Sequence, residues 1–266
     1  MVPLNAPATE QTPWPEDATL DALAGPWRIH QRQRGHRWSV DDLLTAHVAV
    51  QAAPGARRHL DLGCGIGSVL MLVAYRLRAA THVGVEAQAQ SRLLCEASLR
   101  HNGLTDRVTV HQGDFRRGET LDPEQRFDLI TGTPPYLPVG TATMPRDSQR
   151  AHARLELRGG VEDYLAVASR HLARDGVVVV CGDGRTPLRT QQAATLAGLH
   201  VHARVDLIPF PGKTALFHVV TLRASPANAP VHSQLLARTA QHLRTRALQD
   251  VRAGFDMPPM PSEEEA

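Results

Sequence analysis

The run HLDLGCGIGSVLML, residues 59–72, constrains this chain more than any other feature. An apolar segment ending at Leu62 enters Gly63, Gly65 and Gly67, and an amphipathic helix follows at once. Glycines at three alternate positions leave the main chain bare where a strand turns into a helix, so a ligand can lie against backbone N–H groups at the helix start. The surrounding pattern agrees. From Arg57 onward come a strand RRHLDL, a helix over residues 66–78, a strand THVGVE and a helix over residues 88–101. Strands over residues 107–112 and at FDLITG, a helix over residues 161–171 and the apolar run GVVVVC continue the alternation. Such βαβ spacing with runs apolar throughout predicts an α/β domain on a largely parallel sheet covered on both faces. A helix over residues 185–196 and two further strands, HVHARVDLI and ALFHVVTL, joined by the turn PFPGKT, complete it.

The flanks read differently. Residues 1–24, rich in Pro, Thr, Ala and acids, predict a mobile lead-in, residues 25–224 one domain, and residues 225–266 an appendage. Leu236, Ala240, Leu243, Ala247 and Val251 recur at three- and four-residue steps and predict a helix over residues 232–251, docked on the domain by a narrow apolar stripe and followed by the acidic tail PSEEEA. At 266 residues and 42% hydrophobic, the chain buries one substantial core. Cys64, Cys95 and Cys181 form no C-x-x-C pair, so neither a disulfide framework nor a metal site is expected. The start MVPLNAPATEQTPWPED has no basic and apolar leader, and no stretch reaches the ~18 apolar residues of a membrane span, so a cytoplasmic protein is expected.

A formal charge of +2 argues for no polyanionic partner by itself, but the cations cluster. Arg28, Arg32, Arg34 and Arg37 crowd one segment, and Arg146, Arg150, Arg154 and Arg158 recur every fourth residue, on one face if that stretch is helical. Lys213 is the only lysine among 29 basic residues.

Two acids and a loop add chemistry to the glycine turn. Glu86 ends the next strand about twenty residues on, where a carboxylate can accept from both hydroxyls of a ribose. Asp114, in QGDF, follows the third strand at the same sheet edge, within reach of an adenine amino group. After the fourth strand comes Thr131-Gly132-Thr133-Pro134-Pro135-Tyr136. Its two prolines stiffen the backbone so that carbonyls point in fixed directions, and Tyr136 offers a flat face for a base or amide.

DLGCGIG, VGVE, QGDF and TPPY, in that order, resemble the amino-methyltransferases of the class I S-adenosylmethionine-dependent superfamily. More narrowly, RGHRWSVDDLLTAHVA before the first strand, and AHARLEL with EDYL after the loop, resemble the bacterial tRNA adenine-N6 methyltransferases that modify a valine tRNA beside its anticodon. The resemblance runs from about Trp27 to Arg223. It implies a Rossmann-like seven-stranded, mostly parallel sheet with the last strand antiparallel. It also implies S-adenosylmethionine at Asp61, Gly63, Cys64, Gly65, Glu86, Ala87, Asp114 and Phe115, with Arg37, Trp38 and Asp41 near its methionine end.

An exocyclic amine is a poor nucleophile because its lone pair is delocalised into the ring, so hydrogen-bond acceptors must localise it. In the family an asparagine oxygen and the next proline's carbonyl take the two amino hydrogens while an aromatic ring stacks on the base. Those roles map onto Thr133, the Pro134 carbonyl and Tyr136, with Pro135 beside the acceptor. Thr133 is the departure: its hydroxyl is shorter than asparagine's amide and both donates and accepts. It serves through a water, or the substrate differs, or activity is weakened.

The base must leave its stack, which costs less in an RNA loop than in a duplex, so an anticodon loop of tRNA is the expected partner, with Arg146, Arg150 and Arg154 on its phosphates. The protein itself is expected as a monomer or homodimer. Methylation of a protein glutamine or of an rRNA guanine, an inactive cofactor-binding scaffold, and a nicotinamide dehydrogenase are the competing readings. The last is disfavoured because Ser68 occupies the sixth position of the dinucleotide fingerprint.

Overall fold

The computed structural model describes residues 12–138, 140, 145 and 147–260. A hairpin opens the chain, β1 (Ala18–Ala24) antiparallel to β2 (Trp27–Arg32), and leads into α1 (Val40–Ala52). Then follow β3 (Arg58–Leu62), α2 (Ser68–Arg76), β4 (Thr81–Glu86), α3 (Ala89–His101), β5 (Val108–Gln112) and β6 (Phe127–Gly132). Beyond the proline corner come α4 (Ser148–Arg154), α5 (Val161–His171), β7 (Leu172–Asp183), α6 (Pro187–Leu196), β8 (His200–Ile208), β9 (Phe217–Arg223), β10 (Val231–Leu236) and α7 (Arg246–Ala253).

The main sheet runs β10-β8-β9-β7-β6-β3-β4-β5. Its β3, β4, β5, β6 and β7 are parallel, and β9 is antiparallel to both neighbours. The seven expected strands are therefore present, with the seventh reversed. An eighth, β10, adds to the outer edge parallel to β8.

Period-2 alternation divides each central strand between two cores. Leu129, Val177, Val179 and Cys181 face α1, α2 and α3, whereas Ile130, Val178 and Val180 face α5 and α6. Every one of these seven is at most 2% exposed, which is why the strands read as unbroken apolar runs.

Three expectations are corrected. The lead-in expected over residues 1–24 gives way at Ala18 to a hairpin strand, with Leu23 and Ala24 buried against the α2 side. A short sequence of mixed polarity hides this, because its burial depends on a helix that lies far along the chain. The helix expected over residues 232–251 is a strand followed by a shorter helix. Residues 231–236 satisfy their backbone groups on the free edge of β8 instead, the chain turns at His242 with φ +66°, and α7 starts only where Thr245 accepts the Leu248 N–H. The arginines at 146–158 do not share one helical face. Arg150 and Arg154 lie on the two-turn α4, Arg158 lies beyond it, and Arg146 lies outside the described residues.

The C-terminal segment is part of the core. Leu248, Val251, Phe255 and Met257 join the α1–α2 cluster, Tyr75 donates to Asp256 at 2.5 Å, and Gly25 N–H donates to the Phe255 carbonyl at 3.0 Å. Among the described residues no helix is long and apolar enough to cross a membrane. Phe255 is 1% exposed, so Phe255→Ala is expected to cost about 3–5 kcal/mol in urea unfolding. A loss below about 1 kcal/mol would show that the segment is only loosely attached.

Candidate active site

Because β3, β4, β5 and β6 are parallel neighbours, their carboxyl ends emerge at one edge, carrying Gly63, Glu86, Asp114 and Thr133 in turn. One cleft opens there, and Gly63, Cys64, Gly65, Glu86, Ala87, Asp114, Phe115, Thr133, Pro134, Pro135, Tyr136 and Asp41 all line it. Of these, Asp41 and Tyr136 are 95 positions apart in the sequence.

The turn between β3 and α2 needs glycine for two different reasons. At Gly63 φ is +62°, and a Cβ would sit 2.3 Å from the Tyr164 hydroxyl. At Gly65 φ is +57° and nothing lies within 4 Å of where a Cβ would be, so its bare face opens onto the cleft. The Gly65 N–H donates to Glu86 Oε2 at 2.8 Å and the Gln88 N–H to Oε1 at 2.6 Å. Burial pushes the Glu86 carboxyl up while these N–H groups pull it down, with burial prevailing. Each oxygen keeps lone pairs for hydroxyl donors.

Asp114 has a different environment. Arg116 Nε lies 2.9 Å from its Oδ1 and Nη2 2.5 Å from its Oδ2, a chelate that holds the carboxyl below its usual range. Phe115 meets Tyr164 edge to face at 4.7 Å between ring centroids. Tyr164, on α5, was not among the expected site residues. Its period along α5 matches that of core residues such as Leu165 and Ala168, so an aromatic there reads as packing. Arg158 and His152 also line the cleft.

Tyr136 lines both this cleft and a second one beside it. Its hydroxyl is 3.1 Å from Asp41 Oδ2, to which it donates, and 2.8 Å from Cys181 Sγ. Burial above all, with Cys181 and Asp41 beside it, pushes the phenol well up, so it stays protonated.

Three expected residues lie elsewhere. Arg37 lines the second cleft instead, its guanidinium paired with Asp21 at 3.2 Å. Trp38 lines neither cleft, because its indole packs against the α1–α2 core. Asp61 lies beneath the turn, 2% exposed and absent from the cleft lining.

Below the glycine turn, Asp61 ends a buried chain of hydrogen bonds. His82 Nε2 is 3.2 Å from the Leu77 carbonyl, so that nitrogen carries a hydrogen. His82 Nδ1 is 3.1 Å from His59 Nδ1, His59 Nε2 is 2.8 Å from Thr131 Oγ1, and Thr131 Oγ1 is 2.7 Å from Asp61 Oδ1. These four links need four hydrogens, whereas two neutral imidazoles and one hydroxyl supply three. The fourth belongs to Asp61: burial raises its carboxyl to about 7, lowers His82 to about 4 and takes His59 well below its ordinary value. Asp61 then donates to Thr131, and Thr131 donates to His59.

A carboxyl that titrates at about 7 in the fold and about 3.9 unfolded stabilises fully below the lower value and loses that contribution as pH rises through the upper one. Asn at position 61 keeps a donor toward Thr131 and does not titrate. The unfolding free energy of Asp61→Asn relative to wild type should therefore increase between about pH 4 and 7 and level off above, by on the order of a few kcal/mol in all when read from urea unfolding. A difference that does not change with pH would remove the proton from Asp61.

Comparisons with known proteins agree with this geometry. The general methyltransferase-domain family matches residues 60–156, from β3 through the proline corner to the end of α4. A tRNA1(Val) (adenine(37)-N6)-methyltransferase of Yersinia pseudotuberculosis is 27% identical over 187 residues, covering 70% of this chain and 73% of that protein. A homologue of the same description from Yersinia pestis aligns equally, at 27% over 187 residues with 70% and 74% covered. Among solved structures, a predicted O-methyltransferase from Agrobacterium tumefaciens superposes with TM-score 0.62 at 22% identity over 82% of this chain and 98% of that one, a likeness of fold. Sheet order, glycine turn and strand-end acids, with the methyltransferase-domain match and the methyltransferase homologues, together support an S-adenosylmethionine-dependent methyltransferase.

Proposed function

We propose that the chain transfers a methyl group to the N6 amino group of an adenine in tRNA, in the anticodon loop. The observation that carries this reading is that the Thr133-Pro134-Pro135-Tyr136 corner lines the same cleft as Gly63, Gly65 and Glu86. The homologues' activity on tRNA supports the acceptor class.

The cleft suits the cofactor on its own chemistry. Open space beside the bare Gly65 gives room for a ligand against the main chain, and Glu86 retains acceptor capacity for ribose hydroxyls. Gly63, Cys64, Gly65, Glu86, Ala87, Asp114 and Phe115 would hold S-adenosylmethionine, with Asp41 toward the second cleft and Asp61 acting from beneath. When bound, it supplies an electrophilic methyl group on a sulfonium.

The remaining work falls to the protein. The Pro134 carbonyl, fixed by the following proline, accepts one amino hydrogen and the Thr133 hydroxyl, through a water, accepts the other, so that the nitrogen lone pair is turned out of the ring plane. Tyr136, anchored through its hydroxyl to Asp41, presents its ring to the acceptor base. Arg150 and Arg154, exposed on α4, meet the flanking phosphates.

Labelled methyl transfer into unmodified total RNA and total protein, followed by nucleoside mass spectrometry, tests the acceptor. N6-methyladenosine in tRNA is expected, and label confined to polypeptide would replace the reading with a glutamine methyltransferase. One oriented acceptor is worth on the order of 10²–10³ in rate. Thr133→Asn is therefore expected to raise kcat by tenfold or more at unchanged S-adenosylhomocysteine affinity, and a fall in kcat would show that the corner is tuned to the shorter hydroxyl.

A further inference from the structure

The second cleft is the feature that the site described so far leaves unused. It shares His36, Asp41, Tyr136 and Ala153 with the first, so the two adjoin at these residues. Four of the stretches that wall it carry cations. Arg37 comes from the segment before α1, Arg150 and Arg154 from α4, Arg185 from the turn after β7, and Lys213 with Phe210 from the loop between β8 and β9.

Five cations thus converge on a cleft that has only Asp41 and Asp183 as acids among its described lining residues. Arg37 and Arg185 are held by Asp21 and Asp183, the latter at 2.6 Å. Arg150, Arg154 and Lys213 are exposed, and the described residues provide no ion pair for any of them. A chain of net charge +2, with a single lysine, has placed that lysine here. The cleft is also apolar: Leu216 is 57% exposed, and Phe210 is half-buried with its ring edge to face with His242 at 4.8 Å. Cations from separate stretches, three of them without an ion pair among the described residues, combined with a half-buried aromatic ring match what a single-stranded nucleic acid requires, phosphate neutralisation along the strand and a flat surface for a base.

We infer that this cleft is the groove for the single-stranded RNA flanking the methylated base, with the loops after β7 and β8 supplying Arg185, Lys213 and Phe210 opposite Arg150 and Arg154. The inference rests on the reading of the acceptor as RNA and extends it to two loops beyond the reach of any sequence motif. The strand enters between α4 and the β8–β9 loop, and Tyr136 at its inner end receives the turned-out base. Salt bridging of Arg185 to Asp183 pre-orients that guanidinium at the rim, so it loses little freedom when a phosphate arrives.

The test uses the full chain and an unmodified tRNA transcript, with dissociation constants measured across a salt series. Lys213→Glu and Arg185→Glu are compared with Arg174→Glu, an exposed arginine at the amino edge of β7 on the far side of the sheet. Lys213→Glu and Arg185→Glu should each raise Kd at least tenfold and reduce the steepness of log Kd against log salt by about one for each phosphate no longer neutralised. Phe210→Ala should raise Kd about tenfold with the salt slope unchanged. S-adenosylhomocysteine affinity should be that of wild type in every variant, as the sign of an intact fold.

Wild type that methylates and binds tRNA while the loop variants retain its Kd and salt slope would overturn the groove alone. An equal weakening in Arg174→Glu would overturn it too, because the binding would then follow total charge. Wild type that neither binds nor methylates RNA would overturn the acceptor reading and the groove together. A polypeptide substrate whose methylation fails in Lys213→Glu would reassign the cleft to protein.

Discussion

The Glu86 carboxylate, taking one main-chain N–H from Gly65 and another from Gln88, ties the end of β4 to the turn that leaves β3. The rest of the site depends on this small joint. It fixes the left-handed turn at Gly63 and Gly65, keeps a buried acid at the strand end, and thereby holds open the face on which a ligand can lie. The parallel register of β3 with β4 and β6 makes the joint possible, since only then do Leu62, Val85 and Gly132 stand level, with Glu86 one residue beyond at the turn.

Beneath that edge the molecule gathers acids and keeps some of them uncharged. Asp61 is buried and shares its proton with a histidine–threonine chain, and Asp42, which accepts the Ser39 N–H at 3.0 Å at the start of α1, is pushed well above the carboxylate range by burial and by Asp41. Asp114, chelated by Arg116, is instead held ionised. Asp114 thus presents its charge to the cleft, while burial favours the neutral form of Asp61 beneath the turn and of Asp42 in the cleft wall, which lowers the cost of packing carboxyl groups at a sheet edge.

The acceptor side follows a different logic. Stiff prolines and a tyrosine whose hydroxyl is anchored to Asp41 make a corner with little freedom, and two clefts of unlike character meet there. The inner one is lined by glycines and acids, the outer by arginines, one lysine and aromatic or apolar side chains. That division of character is the one the proposed acceptor, an uncharged base with a charged backbone on either side, would have.

Much of this was legible in the chain itself. The alternation of apolar runs, the glycine spacing, Glu86 and Asp114 at successive strand ends and the proline corner determined the fold class and the edge where chemistry belongs, because each is a local pattern that a parallel sheet alone puts to use. Tertiary structure alone decided the rest. Residues 231–236 became a strand rather than part of a helix because the open edge of β8 offered backbone partners that no local periodicity encodes. Trp38 turned into the core and Arg37 to Asp21 because their partners come from distant segments, and Tyr164 reached the glycine turn from α5, far along the chain. Lys213 and Arg185 met Arg150 for the same reason: the loops that carry them are brought together only when the sheet closes their strands side by side.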